Sequence, residues 1–359
     1  MLMIVGFLLF VSLVVVHELG HFIAAKKGGV EVEEFGLGFP PRLYGRRFKD
    51  DKTLYSINLL PLGGFVRLKG EHDADREPGS YGSAPFSRKA GIILAGVAMN
   101  LLAAVLIFGV LSATGMPRLL PNQVAVASDT SVTSRKVLVG FVAAGSSAEQ
   151  AGVQVGDELT GFDQQPVRTG EDLFGYTEAS LGQAVKLELI REDQRLELTA
   201  QLPLQRTEEG ILGLTPADVI VERSTWSAPL RGVALTGQFA WETLKGVVNL
   251  FGQLASGQGS QAAEGVTGPV GIVLLLGDVA EAGASSLWVF IALISVTLAV
   301  MNSLPIPALD GGRLFVSGLF RLLKKPLKTK TEERIHATGM AVLLILIALI
   351  TVVDVRRFF

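Results

Sequence analysis

The first stretch of the chain, from about Leu2 to Ala25, is apolar and long enough to cross a membrane, yet it holds three ionisable residues within about one helical turn. His17, Glu18 and His21 form a His-Glu-x-x-His motif in the run FLLFVSLVVVHELGHFIAA. Ionisable side chains are costly inside a bilayer, so this arrangement needs a functional reason. The chain must therefore fold so that other segments surround this helix and leave a polar cavity beside it.

The motif itself predicts a metal site with hydrolytic chemistry. Two histidines four residues apart lie on one face of a helix, so both imidazoles can reach one metal ion. Glu18 lies between them, in the position of a general base for an activated water molecule. There are only four histidines and no cysteine, which excludes disulfides, thiolate zinc sites and a cysteine nucleophile.

Composition indicates a membrane protein with some soluble mass. Hydrophobic residues make up 49% of the 359 residues and charged residues only 18%, and the mean hydropathy is +0.43. The net charge of −2 gives no basic field for nucleic acid, so we predict no nucleic-acid partner. Four segments approach the ~20 residues that span a hydrocarbon core: about 2–25, 90–111, 287–304 and 337–353.

Lysines and arginines predict the orientation. They are concentrated after the first span, in residues 26–89, and between the third and fourth spans, in residues 313–334. By the positive-inside rule both segments are cytoplasmic, and residues 112–286 and both termini lie outside; Arg356 and Arg357 oppose this weakly. No basic residue precedes the first span, so we interpret it as a retained helix rather than a cleaved signal.

Between the spans, the sequence predicts two non-membrane elements. Residues 30–70 alternate in hydrophobicity between turn signals and predict a β-meander directly after the histidine helix. Residues 122–205 predict a compact domain with strands, two short helices and a C-terminal hairpin. Within 206–286, helical spacing of apolar residues from about 227 to 256 predicts an amphipathic helix at the membrane surface, preceded by a linker.

A zinc ion that hydrolyses a peptide needs a third protein ligand, and Asp310 is the best candidate. It ends the third span in the run NSLPIPALDGG. Pro305 and Pro307 stop a regular helix there, and Gly311 and Gly312 would permit a close approach to the helix with the histidines. The alternative is a simple helix-exit turn, in which Asp-Gly is common.

These motifs together resemble the site-2 protease family of intramembrane zinc metalloproteases. HELGH in the first span and NSLPIPALDGG in the third are accompanied by FGLGFPPRL, LPLGGFVRLKGE and GVTGPVGIV in the family's order. The resemblance implies a polytopic α-helical membrane protein of about four transmembrane helices, with a membrane-associated β-meander and an inserted α+β PDZ-like domain. Enterobacterial members have two PDZ modules, whereas this chain has room for one.

The resemblance also implies roles and partners. His17, His21 and Asp310 are expected to bind one zinc ion, with Glu18 as the catalytic base and Asn302 near the substrate backbone. Substrates are expected to be membrane proteins with transmembrane helices, such as anti-sigma factors or signal-peptide remnants, in a bacterial-type inner membrane. Asn302 could instead form a helix cap or an interhelical hydrogen bond.

A substrate helix must unwind before its backbone can be attacked. An edge of the β-meander could pair with the unwound substrate as a strand. The candidate edges are Phe65–Lys69, with Gly64, Phe65 and Val66 as substrate-binding residues, and Gly36–Phe39. The alternative is that the meander only plugs the cavity.

The PDZ-like domain has two possible roles. It could bind a peptide C-terminus between the strand VLVGFV and the helix Glu171–Leu181, or it could exclude substrates with large outside domains. We favour this size filter.

Two other functions fit parts of the sequence. A non-catalytic PDZ scaffold, or pseudo-protease, would not need Glu18, which is present. A metal transporter would need polar residues at metal spacing in several spans, and only one of the four has them.

Overall fold

A computed structural model describes residues 2–49, 51–191, 194–207, 210–259 and 265–358. The chain divides into two compact units, which we call the helical unit (Met1–Leu111 with Pro229–Phe359) and the inserted unit (Ser112–Ala228). The two ends of the inserted unit meet, because the N–H of Ser224 donates to the carbonyl of Ser112 at 2.7 Å.

The elements are numbered here along the chain. The helices are α1 (Leu2–Lys27), α2 (Phe86–Thr114), α3 (Ser147–Ala151), α4 (Gly170–Ala179), α5 (Ala228–Ala255), α6 (Pro269–Glu281), α7 (Ala284–Ser303), α8 (Asp310–Leu322) and α9 (Thr329–Phe358). The strands are β1 (Val32–Arg47), β2 (Leu54–Leu68), β3 (Met116–Pro117), β4 (Ser131–Val142), β5 (Glu158–Phe162), β6 (Gln165–Pro166), β7 (Ala184–Arg191), β8 (Gln194–Gln201) and β9 (Leu214–Arg223).

Four helices of the described chain, α1, α2, α7 and α9, are long and apolar enough to cross a membrane. This confirms the four segments predicted from the sequence. Within their most apolar stretches, 39% of α2 and 44% of α7 are buried, against only 6% of α9. Helices α2 and α7 therefore form the interior of the helical unit, whereas α9 leaves an apolar surface that suits a lipid environment.

The third span ends close to the predicted residue 304. Helix α7 stops at Ser303, and a separate helix, α8, begins at Asp310, because prolines 305 and 307 have no N–H to continue the helix. The expected role of the two glycines was wrong. A Cβ on Gly312 would lie 1.9 Å from the carbonyl oxygen of Ile306, so the close approach is to the preceding turn and not to α1.

The turn before Asp310 is held in an unusual conformation. Ala308 has a φ of +84°, a region that L-residues rarely adopt. Its N–H donates to Nδ1 of His336 in α9 at 3.2 Å. His336 in α9 thus holds the turn that precedes Asp310.

The predicted β-meander is a small sheet of two long, bent strands, β1 and β2. Each strand contributes two paired segments, so Glu34–Leu37 pairs with Leu54–Ile57 on one side and with Gly64–Arg67 on the other. Gly36 and Leu37 therefore have no free edge, which rules out the first half of the predicted Gly36–Phe39 edge. Gly64–Leu68 pairs with β1 only, as far as the described strands show.

The inserted unit is built on one sheet with the strand order β3-β9-β4-β5-β7-β8, in which β6 pairs with β5. Its core includes Val139, Phe162, Leu173 and Leu187, all no more than 2% exposed. The unit extends beyond the predicted domain of 122–205 because β9 pairs along most of β4. Residues 206–286, predicted as linker and surface helix, contain β9 as well as α5 and α6.

Candidate metal centre

Helix α1 and the start of α8 bring three potential metal ligands together. Nε2 of His17 lies 2.9 Å from Oδ2 of Asp310, and Nε2 of His21 lies 3.1 Å from the same oxygen. The two Nε2 atoms are 3.1 Å apart. Among the described residues, this is the one group of three or more His, Cys, Asp or Glu residues with metal-binding spacing.

The donor atoms match the geometry of a tetrahedral zinc site. With Zn–N and Zn–O bonds of about 2.0–2.1 Å, neighbouring ligand atoms lie roughly 3.3 Å apart, close to the separations between His17, His21 and Asp310. The set of two imidazoles and one carboxylate is typical of hydrolytic zinc sites, which keep a fourth position open. The residues therefore fit a zinc ion.

Polar groups next to the Nδ1 atoms of His17 and His21 orient both imidazoles so that their Nε2 atoms face Asp310. Nδ1 of His21 lies 2.8 Å from the carbonyl oxygen of Ile92 in α2, so Nδ1 carries the proton and Nε2 has the free lone pair. Nδ1 of His17 lies 3.4 Å from the side-chain amide of Asn100, a residue that is fully buried.

Asn100 supports a metal-binding tautomer of His17. Its Oδ1 is buried without a hydrogen-bond partner, while its Nδ2 is assigned next to Nδ1 of His17. A 180° turn of the amide, which exchanges the two atoms at the same positions, would let Oδ1 accept the Nδ1 proton of His17. Sequence reasoning missed Asn100, although a lone amide in the second apolar span was a signal for it.

Gly96 in α2 makes room for both imidazoles. A Cβ at this position would lie 2.5 Å from Nε2 of His21 and 2.7 Å from Cε1 of His17. Any larger residue would therefore displace the ligand atoms themselves. Sequence reasoning missed Gly96 too, because nothing near it in the chain marks this distant contact.

Glu18 faces the β-sheet beside the metal centre. Its carboxyl group lies beside the backbone amide of Val66 in β2, and its Cγ would lie 3.8 Å from a Cβ on Gly64. Phe65, next to Val66 in this segment, is also half-buried, and its ring stacks on that of Phe39 with 6.4 Å between the centroids. The predicted substrate-binding residues Gly64, Phe65 and Val66 thus lie in the segment next to Glu18.

Asn302 is half-buried in the last turn of α7, outside the three-ligand group.

Electrostatics favour an ionised Asp310. Burial raises the pKa of Asp310, but the imidazoles of His17 and His21 beside its carboxyl group lower it more, so the pKa lies well below its usual range. Asp310 is thus a carboxylate at neutral pH, the form that binds a metal.

A cavity of about 390 Å³ reaches this aspartate. Its polar lining includes Glu71, His72, Arg313, Glu332 and His336. A polar cavity therefore borders Asp310, the candidate ligand at the start of α8.

A second cavity, of about 280 Å³, lies within the inserted unit between α4 and residues 210–215. Leu173 and Thr177 line it from α4, and Gly213 and Leu214 from the other side. The predicted groove on β4 was wrong, because β4 is already paired with β5 and β9. The first half of β9 pairs only with β4 among the described strands, so β9 provides the edge next to α4.

Comparisons with known proteins agree with this centre. The model of peptidase family M50 matches residues 5–346. A protein of Clostridium perfringens, whose name assigns it provisionally to the zinc metalloproteases, is 33% identical over 358 residues, covering 99% of this chain and 98% of the relative. The zinc metalloprotease RasP of Geobacillus kaustophilus is 26% identical over 429 residues, covering 98% and 96%.

One solved structure resembles a small part of the chain. It is the PDZ domain of an SdrC-like protein from Listeria monocytogenes, which is 21% identical and covers 24% of this chain and 93% of that structure, with a TM-score of 0.22.

Proposed function

The chain belongs to peptidase family M50 and is a zinc metalloendopeptidase, and we propose that it cleaves membrane proteins within or near their transmembrane segments. Membership confirms the predicted resemblance to the site-2 proteases. The observation that carries the proposal is the group of His17, His21 and Asp310, in which both histidines come from α1, an apolar helix long enough to cross a membrane. A site built there suits substrates that are themselves in the bilayer.

The roles of the residues follow from their chemistry. His17, His21 and Asp310 would hold the zinc ion, which would supply polarisation of the scissile carbonyl and a lower pKa for a nearby water molecule. Glu18 takes a proton from the attacking water and delivers it to the amine that leaves. Ile92 and Asn100 keep the two imidazoles in the tautomers that direct Nε2 toward the metal.

An unwound substrate would pair with the edge of Gly64–Leu68 that faces away from β1. The N–H of Leu68 donates to Glu71 at 2.8 Å, away from β1. Because N–H groups alternate in direction along a strand, the N–H of Val66 also points away from β1, toward Glu18. A substrate strand on this edge would run past the catalytic base with its backbone extended and open to attack.

Water and product have a route through the 390 Å³ cavity. It reaches Asp310 from the segment that contains Glu71 and His72, which the distribution of basic residues assigns to the cytoplasmic side. The same rule assigns the inserted unit to the outside. Its α4–β9 groove suits a peptide C-terminus, but we favour its action as a size filter.

The central test compares the parent chain with Glu18→Gln. We expect the variant to keep stoichiometric zinc, since its ligands are intact, and to lose cleavage of a model transmembrane substrate by at least about a hundredfold. Glu33→Gln, at an exposed position in β1, is the matched control and should cleave normally. Retained cleavage in Glu18→Gln would contradict the assignment of the base, and absence of cleavage by the parent would favour a scaffold.

A further inference from the structure

A cavity of about 500 Å³ lies at the opposite end of α8 from the metal centre, where the turn after α8 meets the start of α2. Because α2 is long and apolar enough to cross a membrane, its first turn lies at the level of lipid headgroups when the helix is inserted. This cavity is separate from the one that reaches Asp310.

The lining of the cavity is strongly cationic. It contains five basic side chains and one carboxylate, and the carboxylate, Asp73, is already bound by Lys89 and by the hydroxyl of Ser317. The remaining basic residues leave an excess of positive charge: Arg76, Arg321, Lys325 and Lys328. Arginine and lysine side chains gathered in this way bind phosphate groups.

Part of this positive charge is held in place before any ligand arrives. Nη1 of Arg76 donates to the carbonyl oxygens of Asp73 at 2.8 Å and Gly82 at 3.1 Å. The guanidinium of Arg321 lies over the ring of Phe86, 5.5 Å from its centroid. Lys325 and Lys328 are exposed at the rim, where they can reach an incoming anion.

The surroundings of the cavity are apolar. Phe320 and Leu327 contribute to the lining, and Leu322 and Leu323 at the end of α8 are 79% and 53% exposed. A soluble phosphate compound would leave these leucines in water, whereas the acyl chains of a lipid would cover them. Charge and exposed apolar surface together therefore select a ligand with an anionic head and a hydrocarbon tail.

We propose that this cavity binds an anionic phospholipid, with its phosphate among Arg321, Lys325 and Lys328 and its acyl chains beside the end of α8. Basic pockets between helices at the cytoplasmic surface of a membrane are suited to such headgroups. The proposal rests on membrane insertion of the helices and not on proteolysis.

Native mass spectrometry of the full-length protein tests the proposal. The protein is taken from micelles that contain equal amounts of phosphatidylglycerol and phosphatidylcholine, and bound lipids are counted. We expect selective retention of phosphatidylglycerol by the parent. Lys325→Gln with Lys328→Gln should weaken that binding on the order of 30-fold, about fivefold for each lysine.

The control is Lys324→Gln with Lys330→Gln, which removes the same charge from exposed neighbours that do not line the cavity. This pair should bind like the parent. Equal losses in both pairs would indicate diffuse surface charge and overturn the proposal, as would unchanged binding in the cavity pair. Displacement of the lipid by soluble glycerophosphoglycerol would also overturn it, in favour of a soluble phosphate compound.

Zinc content distinguishes loss of the site from loss of the fold, because the zinc ligands are outside the cavity. If the double variant loses zinc, Lys328→Gln alone should still weaken binding about fivefold, and an unchanged affinity there would count against the site. The measurement can be repeated in Glu18→Gln, so failure of lipid binding and failure of catalysis are read separately.

Discussion

At the scale of single residues, Gly96 controls the metal centre although it contributes no ligand. A methyl group at this position would press on His21 and His17 from α2. The atoms that would have to yield are the ends of two side chains rather than backbone. The fold can therefore tolerate the change while the metal site cannot.

We predict that Gly96→Ala lowers zinc affinity by at least about tenfold, as displaced outer partners of metal ligands commonly do. Helix stability should change little, because alanine favours a helix by roughly 0.5–1 kcal/mol over glycine and offsets the local crowding. Competition with a zinc chelator and circular dichroism would measure the two effects. Gly91→Ala, where a Cβ meets nothing within 4 Å, should keep full affinity.

The four central residues of the candidate metal centre were predictable from the sequence because each belongs to a short local motif. His17, Glu18 and His21 share one helical turn, and Asp310 is a lone carboxylate at the end of an apolar run. Gly96 and Asn100 were not predictable in the same way, since their importance depends on how closely α1 and α2 pack. No pattern within α2 encodes that distance.

At the scale of elements, the edge of Gly64–Leu68 has a testable role. Val66→Pro removes the N–H that faces Glu18, and an edge position tolerates proline. We expect it to weaken binding of a transmembrane substrate to the inactive Glu18→Gln chain, in which catalysis by Glu18 plays no part. Val66→Ala in the same Glu18→Gln chain keeps the N–H and should bind the substrate normally. Equal binding by the Glu18→Gln chain with Val66, with Pro and with Ala at position 66 would contradict strand pairing and favour a sheet that only plugs the cavity.

A second element-scale prediction concerns Asp157, the buried carboxylate immediately before β5. Asp157 is 1% exposed and accepts two hydrogen bonds from Arg191 at 2.7 Å. Burial raises the pKa of Asp157, but the bonds from Arg191 lower it more, so the net shift is downward. The ion pair should therefore stabilise the inserted unit fully above the unfolded-state pKa of about 3.9 and progressively less as the pH falls below it.

Asp157→Asn should abolish this pH dependence and lower the free energy of unfolding by about 2–4 kcal/mol, because Arg191 loses its ionic partner. Hydrogen exchange of β5 and β7 amides in the full chain would report it. Glu158→Gln, at the next residue, is the control, since its bond to the half-exposed Lys136 is worth less than about 1 kcal/mol. Equal losses in both variants would contradict the prediction.

Helices were easier to predict than the short strands. Long apolar stretches identified the four helices that could cross a membrane. In contrast, β9 was missed because residues 206–225 show no clear alternation of polar and apolar residues. Its position depends on pairing with β4, some eighty residues earlier in the chain. The break between α7 and α8 was foreseeable from two prolines, whereas the positive φ of Ala308 depends on a bond from distant His336.

At the scale of the whole molecule, the two ends of the inserted unit lie next to each other, so the unit can be deleted without a gap between the residues that are joined. Removal of residues 113–223 joins Ser112 to Ser224, which are hydrogen-bonded through their backbones. A deletion limited to 122–204 would leave β9 without β4. The longer deletion therefore tests the function of the unit with less damage to the rest.

If the unit is a size filter, its deletion should allow cleavage of substrates that keep a large outside domain. Cleavage of an already shortened substrate should be unchanged, and zinc content serves as the control for the helical unit. Slower cleavage of the shortened substrate would instead indicate that the α4–β9 groove recognises its new C-terminus. Cleavage rates of the paired substrates distinguish these outcomes.

The three metal ligands are separated by nearly the whole chain, since Asp310 follows His17 by 293 residues. At synthesis rates of about 5–20 residues per second, roughly 15–60 s pass between the two. Throughout that time the histidine helix lacks its carboxylate partner and holds metal weakly. We therefore expect a nascent copy in the insertion machinery to be inactive until translation has passed Asp310, the last of the proposed ligands.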